Sequence, residues 1–212
     1  VLLSAALILG CISVSAAIPE NNGNGTVLTY SGWTRNSPSS GTYCGVSTVN
    51  DTDFGTVSRY ITKGVPNGNN YKTYKSVLQF TTDTAVSAND YVFVSFYYRA
   101  NTSVSSDTYA LPSGLKRAQK INRTTVNSVI TSNFTAGEWN RYQGVLTAES
   151  ATVAGGAVKL YISIDTSANT DKVCVDIADP KAVYMGAVTA EEGASENEQV
   201  IGKLSSTDIS AI

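Results

Sequence analysis

The residues best suited to chemistry lie in one run, Asp90 to Ala100, which reads Asp-Tyr-Val-Phe-Val-Ser-Phe-Tyr-Tyr-Arg-Ala with neither Gly nor Pro. In an extended strand, successive side chains leave on opposite sides. Val92, Val94, Phe96 and Tyr98 then form one apolar face, while Tyr91, Phe93, Ser95, Tyr97 and Arg99 form a second face of rings, a hydroxyl and a guanidinium. The first face is composed like a core. The second is composed like a binding surface, where flat rings and fixed polar groups meet a ligand. Reactive chemistry is poorly served by the rest of the chain. It has no histidine, which removes Ser-His-Asp and Cys-His nucleophiles and every His-ligated metal site. Paired carboxylates for glycoside hydrolysis remain as an option, but Glu138 and Glu149 stand at strand boundaries, and no apolar motif surrounds a carboxylate to raise its pKa. The expected protein is therefore not an enzyme.

Smaller clusters compete for attention. Asp51 and Asp53 have a spacing that calcium could use, and equally the spacing of an ordinary turn, which is the reading favoured. Lys116, Arg117, Lys120 and Arg123 could meet an anionic glycan, but a short charge run reads first as a solvated loop or strand edge. Trp33, in Ser-Gly-Trp-Thr, is either a lid on the core or a platform for a ligand. Five Asn-X-Ser/Thr sequons, at Asn24, Asn50, Asn101, Asn122 and Asn133, are what chance gives in a chain this rich in Asn, Ser and Thr.

The elements that position these residues are short and alternating: Thr26–Tyr30, Tyr43–Val49, Thr56–Ile61, Tyr71–Thr81, Trp139–Thr147, Val158–Ile164 and Val173–Ile177, with Val126–Ile130 as a shorter run. Residues 101–123 are the least regular stretch. No helical periodicity is evident, and strands divided by Gly- and Asn-rich turns predict an all-β, antiparallel β-sandwich.

Length and charge bound the rest. The chain of 212 residues fits one domain with a leader and a tail. A net charge of −2 and a pI near 5.1 give no basic face for nucleic acid. Residues 1–17 form an uncharged apolar run ending in small residues, as a secretory signal does, with cleavage expected after Ala16 or Ala17. Pro19-Glu20-Asn21 ends the run before the ~20 residues that a membrane span needs, so no membrane contact is expected beyond export. A lipobox-like Ile8-Leu9-Gly10-Cys11 is a lesser option. The chain starts at Val1 rather than Met, which reads as a piece of a longer frame. Residues 18–186 are the expected domain, and 187–212, with five acids against Lys203, read as an acidic linker or the start of a further region. An exported, extracellular or cell-surface chain that keeps Cys44 and Cys174 could close one disulfide, with two buried thiols as the alternative.

The order of landmarks is more specific than the composition. Tyr91-Val-Phe-Val-Ser-Phe-Tyr-Tyr-Arg99, then Gly137-Glu-Trp-Asn-Arg-Tyr142, Val158-Lys-Leu-Tyr-Ile-Ser163 and Val173-Cys-Val-Asp176 together resemble the carbohydrate-binding modules of the four/nine group, over roughly Val27 to Met185. That resemblance implies a jelly-roll sandwich and a glycan cleft lined by Phe93, Ser95, Tyr97 and Arg99. It implies Lys75, Val77 and Gln79 on a neighbouring strand, with Trp33 or Tyr74 flanking, and it makes Trp139 a core residue. The family's structural calcium would keep Asp176 as a ligand. The segments that complete that site depart from the pattern, with Asn21-Asn22-Gly23-Asn24-Gly25 at one end and Val175-Asp176-Ile177-Ala178-Asp179 at the other; no cofactor is otherwise required. The expected function is non-catalytic binding of a polysaccharide, targeting a larger secreted protein to glycan with an appended catalytic or surface domain. The alternative is a structural or adhesive domain of an extracellular protein.

Overall fold

The computed structural model describes residues 26–35, 44–63, 65–67, 70–72, 75–168 and 171–187. Among them there is no helix. The strands in chain order are β1 (Thr26–Arg35), β2 (Cys44–Asp51), β3 (Gly55–Lys63), β4 (Val65–Asn67), β5 (Asn70–Lys72), β6 (Ser76–Thr81) and β7 (Tyr91–Asn101). They continue with β8 (Ser103–Val104), β9 (Asp107–Thr108), β10 (Gly114–Ala118), β11 (Val126–Thr131), β12 (Asn140–Thr147), β13 (Ala157–Thr166) and β14 (Lys172–Gly186).

All strand pairings are antiparallel, and they build two facing sheets of a jelly-roll β-sandwich. Sheet A runs β12–β7–β14–β3–β2; sheet B runs β1–β6–β13–β10–β11, with the β4–β5 hairpin joined to the end of β13. Strand β1 serves both sheets. Thr26–Leu28 pair with β14, and from Thr29 onward the strand pairs with β6, after which a register shift at Tyr30/Gly32 bends it across. Strand β14 is shared in a second sense, lying beside β3 over Lys172–Ile177 and beside β1 over Ala182–Tyr184.

The alternation expected for β7 holds on its core side. Val92, Val94, Phe96 and Tyr98 are buried in the central cluster with Leu78, Phe80, Leu160, Ile162, Ile164, Val175 and Ile177. Trp33 of β1 and Tyr60 of β3 join the two sheets with ring centroids 5.1 Å apart, while Phe96 and Tyr142, cross-strand neighbours within sheet A, sit 5.0 Å apart.

Three expectations change here. Trp33 is not in a loop, because β1 runs on to Arg35; paired opposite Leu78, Trp33 points into the core and is 4% exposed. The stretch that looked irregular contains β10, an interior strand of sheet B whose Lys116 and Arg117 hide its short apolar pattern. The Cys44–Cys174 bridge is absent: Cys44 pairs with Thr62 of β3, and Thr62 pairs on its other side with Val173. Two strand spacings, about 10 Å, separate β2 from β14, beyond the ~7 Å that a disulfide spans. Cys174 is a free, buried thiol. The expected signal, the acidic tail beyond Ala187 and Tyr74 lie outside the described residues.

Candidate functional site

The outer face of sheet A follows from register. Asp176 of β14 lies opposite Arg59 of β3 on one side and Arg99 of β7 on the other, so alternation puts all three side chains on the solvent side of the sheet. Arg59 grips the carboxylate with two bonds, Nε to Oδ1 at 2.7 Å and Nη2 to Oδ2 at 2.9 Å, and Arg99 Nη2 donates to Oδ2 at 2.8 Å. Arg99 Nη2 also reaches Asp51 Oδ2 at 2.7 Å. Burial pushes both carboxyls up, but the hydrogen bonds from Arg59 and Arg99 outweigh it at Asp176, and those from the Asp53 amide, Arg99 and the Phe54 amide outweigh it at Asp51, so both end below the ordinary carboxylate value. Asp51 supplies the turn as well as the charge, since its Oδ1 accepts from the N–H groups of Asp53 and Phe54 at 2.9 and 3.2 Å.

That turn lays Phe54 on the sheet. Its ring centroid is 4.7 Å from that of Tyr97 and 4.9 Å from that of Trp139. Trp139 in turn stacks on Arg99, whose guanidinium carbon is 4.2 Å from the indole centroid, and the exposed Arg141 lies over Tyr97 at 5.5 Å. Phe54, Tyr97 and Trp139 are each partly exposed. The product is a cluster of three rings and two guanidiniums on a sheet face turned away from the sandwich core, braced from below by two carboxylates.

The expected site residues do not assemble as one surface. Tyr97 and Arg99 meet on sheet A, with Arg99 spent on ion pairs rather than free for a ligand. Phe93 shares their face but is fully buried in a small cluster with Val183 and Met185. Gln79 lies on β6 in the other sheet, facing out on the opposite side of the sandwich, where it donates to Thr34 Oγ1 at 3.0 Å. Trp33 is core. Trp139, expected in the core, belongs to the outer cluster instead. Asn140 pairs with Tyr98 and Arg141 with Tyr97, so the residue before Asn140 continues the outward row toward Arg99. Phe54 was missed because nothing in Asp51-Thr-Asp-Phe-Gly says that a turn will fold onto a strand remote in sequence.

Calcium at Asp176 does not fit. Its two oxygens already accept three hydrogen bonds from the Arg59 and Arg99 guanidiniums, cationic neighbours that oppose a further cation, whereas calcium takes about six to eight oxygen ligands. Among the described residues no group of three acidic, Cys or His side chains is placed to hold a metal.

A second face is built on sheet B. Val77, Ala118 and Tyr161 form its buried floor, Val126 packs against them, and Lys159 stands directly across from Gln79. No family model matches this sequence, and no curated protein does. Solved structures do match. They include the MgGH51 α-L-arabinofuranosidase with bound arabinose (14% identity, 79% of this chain, 30% of that chain, TM-score 0.46). Another is the N-terminal CBM22 tandem domain of Paenibacillus barcinonensis Xyn10C (18% identity, 81% of this chain, 49% of that chain, TM-score 0.49). A third is TmCBM61 in complex with β-1,4-galactotriose (14% identity, 74% of this chain, 90% of that chain, TM-score 0.39). The chain spans less than half the length of the first two. At such identities and TM-scores the likeness assigns no role to any residue here.

Proposed function

We propose that this protein is a non-catalytic carbohydrate-binding domain that takes a polysaccharide chain on the outer face of sheet A. One observation carries the reading: Phe54, Tyr97 and Trp139 meet there, each partly exposed and held in place without help from the core. Partly exposed rings suit the CH-rich faces of sugars, and the planar donors of Arg141 suit their hydroxyl rims. Hydrolysis is disfavoured because the carboxylates beside the rings, Asp51 and Asp176, are held ionised by their arginines, and a glycosidase acid must keep its proton near neutral pH. With this reading goes the wider role of carrying an exported protein to glycan.

The test is retention on arabinoxylan, barley β-glucan, β-1,4-galactan and polygalacturonate in affinity electrophoresis, for wild type, Tyr97→Ala and Trp139→Ala. The expected loss is about tenfold or more for each variant, the cost of one stacking contact. Retention on none of the four by a folded wild type would favour the structural or adhesive reading. A second face is favoured by one specific observation: the Lys159 amine, half-buried beside Gln79 and Tyr161, has no polar partner among the described residues. Tyr161→Ala and Lys159→Gln test it in the same panel, and loss there with Tyr97→Ala unchanged would move the site to sheet B.

A further inference from the structure

The platform has no covalent anchor, and the Phe54 ring belongs to the three-residue turn between β2 and β3 rather than to a strand. What fixes it is a single carboxylate. Asp51 Oδ1 closes the turn on the amides of Asp53 and Phe54, while Asp51 Oδ2 holds Arg99, the residue on which Trp139 stacks. Gly55, at φ +69, returns the chain to β3 opposite Asp51, so the turn is closed at its base as well. The Asp51 side chain is only 6% exposed, and its two oxygens serve two different walls of the ring cluster.

We propose that Asp51 is the positioning residue of the platform, holding Phe54 against Tyr97 and Trp139 by closing the β2–β3 turn on the amides of Asp53 and Phe54. This rests on the reading that the face binds glycan, and the two can fail separately. An amide at this position still accepts from both turn N–H groups, whereas a methyl accepts from neither. A glutamate keeps the charge near Arg99 but carries it one methylene too far to close the turn.

The experiment pairs ring proximity with binding. Aromatic NOE cross-peaks between Phe54 and Tyr97 are recorded for wild type, Asp51→Ala, Asp51→Glu and Asp51→Asn, at temperatures well below each melting point. The same proteins are titrated with the four glycans above. Cross-peaks are expected to vanish in Asp51→Ala, weaken in Asp51→Glu and persist in Asp51→Asn. Glycan affinity should follow, falling about tenfold in Asp51→Ala and staying within about threefold in Asp51→Asn. Because Asp51 acts through Phe54, Asp51→Ala should cost no further affinity in a Phe54→Ala background. If Asp51→Ala does not fold, Asp51→Glu decides by the same cross-peaks. Persistence of the Phe54–Tyr97 cross-peaks in Asp51→Ala or Asp51→Glu overturns the positioning role. If Phe54→Ala and Trp139→Ala bind all four glycans as wild type does, the binding reading falls instead, and the cross-peaks still judge Asp51.

Discussion

Asp176 shows how one side chain can serve a sheet face without touching a ligand. It is fully buried among two arginines, and removing it would leave both cations without their shared counter-charge. Asp176→Ala should cost about 3–5 kcal/mol in urea unfolding, the usual result of breaking a buried pair from one side. The pH dependence follows from direction alone. The folded pKa values of Asp51 and Asp176 lie below their unfolded values, so the stability they give is complete above the ordinary carboxylate range and is lost as pH falls through the folded values. Melting temperature should therefore drop below about pH 4, and less steeply in Asp176→Asn; parallel curves for the two proteins would count against the network. Cys174 is quiet for a related reason. Burial first, and Asp176 second, push its thiol up to about 11, so at pH 8 only ~0.1% is thiolate and alkylation should await unfolding.

At the scale of elements, connections matter as much as strands. Asn122, at φ +64 between β10 and β11, donates to Ser150 O and Thr152 Oγ1 and accepts from the Lys159 amide, at 3.1, 2.9 and 2.9 Å. It staples two loops to β13. Asn122→Ala should cost about 2–3 kcal/mol, because it deletes these bonds and leaves the Lys159 N–H without its acceptor. The same side chain satisfies a sequon, and its bonding shows that a motif of this composition can be wholly structural. Tyr184 plays a similar part on β14: its hydroxyl donates to Asp90 Oδ2 at 2.6 Å and, through burial and then the Asp90 carboxylate, has its pKa pushed up to about 12. Tyr184→Phe should lower stability by about 1–2 kcal/mol, read from urea midpoints, since the buried Asp90 oxygen keeps only the Ser87 amide.

Over the whole molecule, the pairings join distant parts of the chain: Thr26 meets Tyr184, and Ser76 meets Ile162. Loop closure must precede any reward from such contacts, so folding is expected on the millisecond-to-second scale, as stopped-flow fluorescence would measure; microsecond folding would contradict this topology. The order of strands also explains why the candidate residues parted company. Strands β6 and β7 follow one another in sequence but enter opposite sheets, so Gln79 and Tyr97 face away from each other across the full thickness of the sandwich.

Alternation by itself determined the fold class and the two faces of β7, because side-chain direction in a strand depends only on parity, and parity survives any arrangement of neighbours. It placed Val92, Val94, Phe96 and Tyr98 in the core and Tyr97 and Arg99 outside. Parity cannot say which sheet a strand joins, what lies across from it, or what folds over it. Those were decided by tertiary structure: β3 intervening between Cys44 and Cys174, two arginines taking both oxygens of Asp176, and β12 aligning Trp139 with Arg99. Phe93 marks the boundary most clearly. Its parity matches that of Tyr97, yet it is buried with Val183 and Met185, since burial on an outer face depends on neighbours brought from elsewhere in the chain.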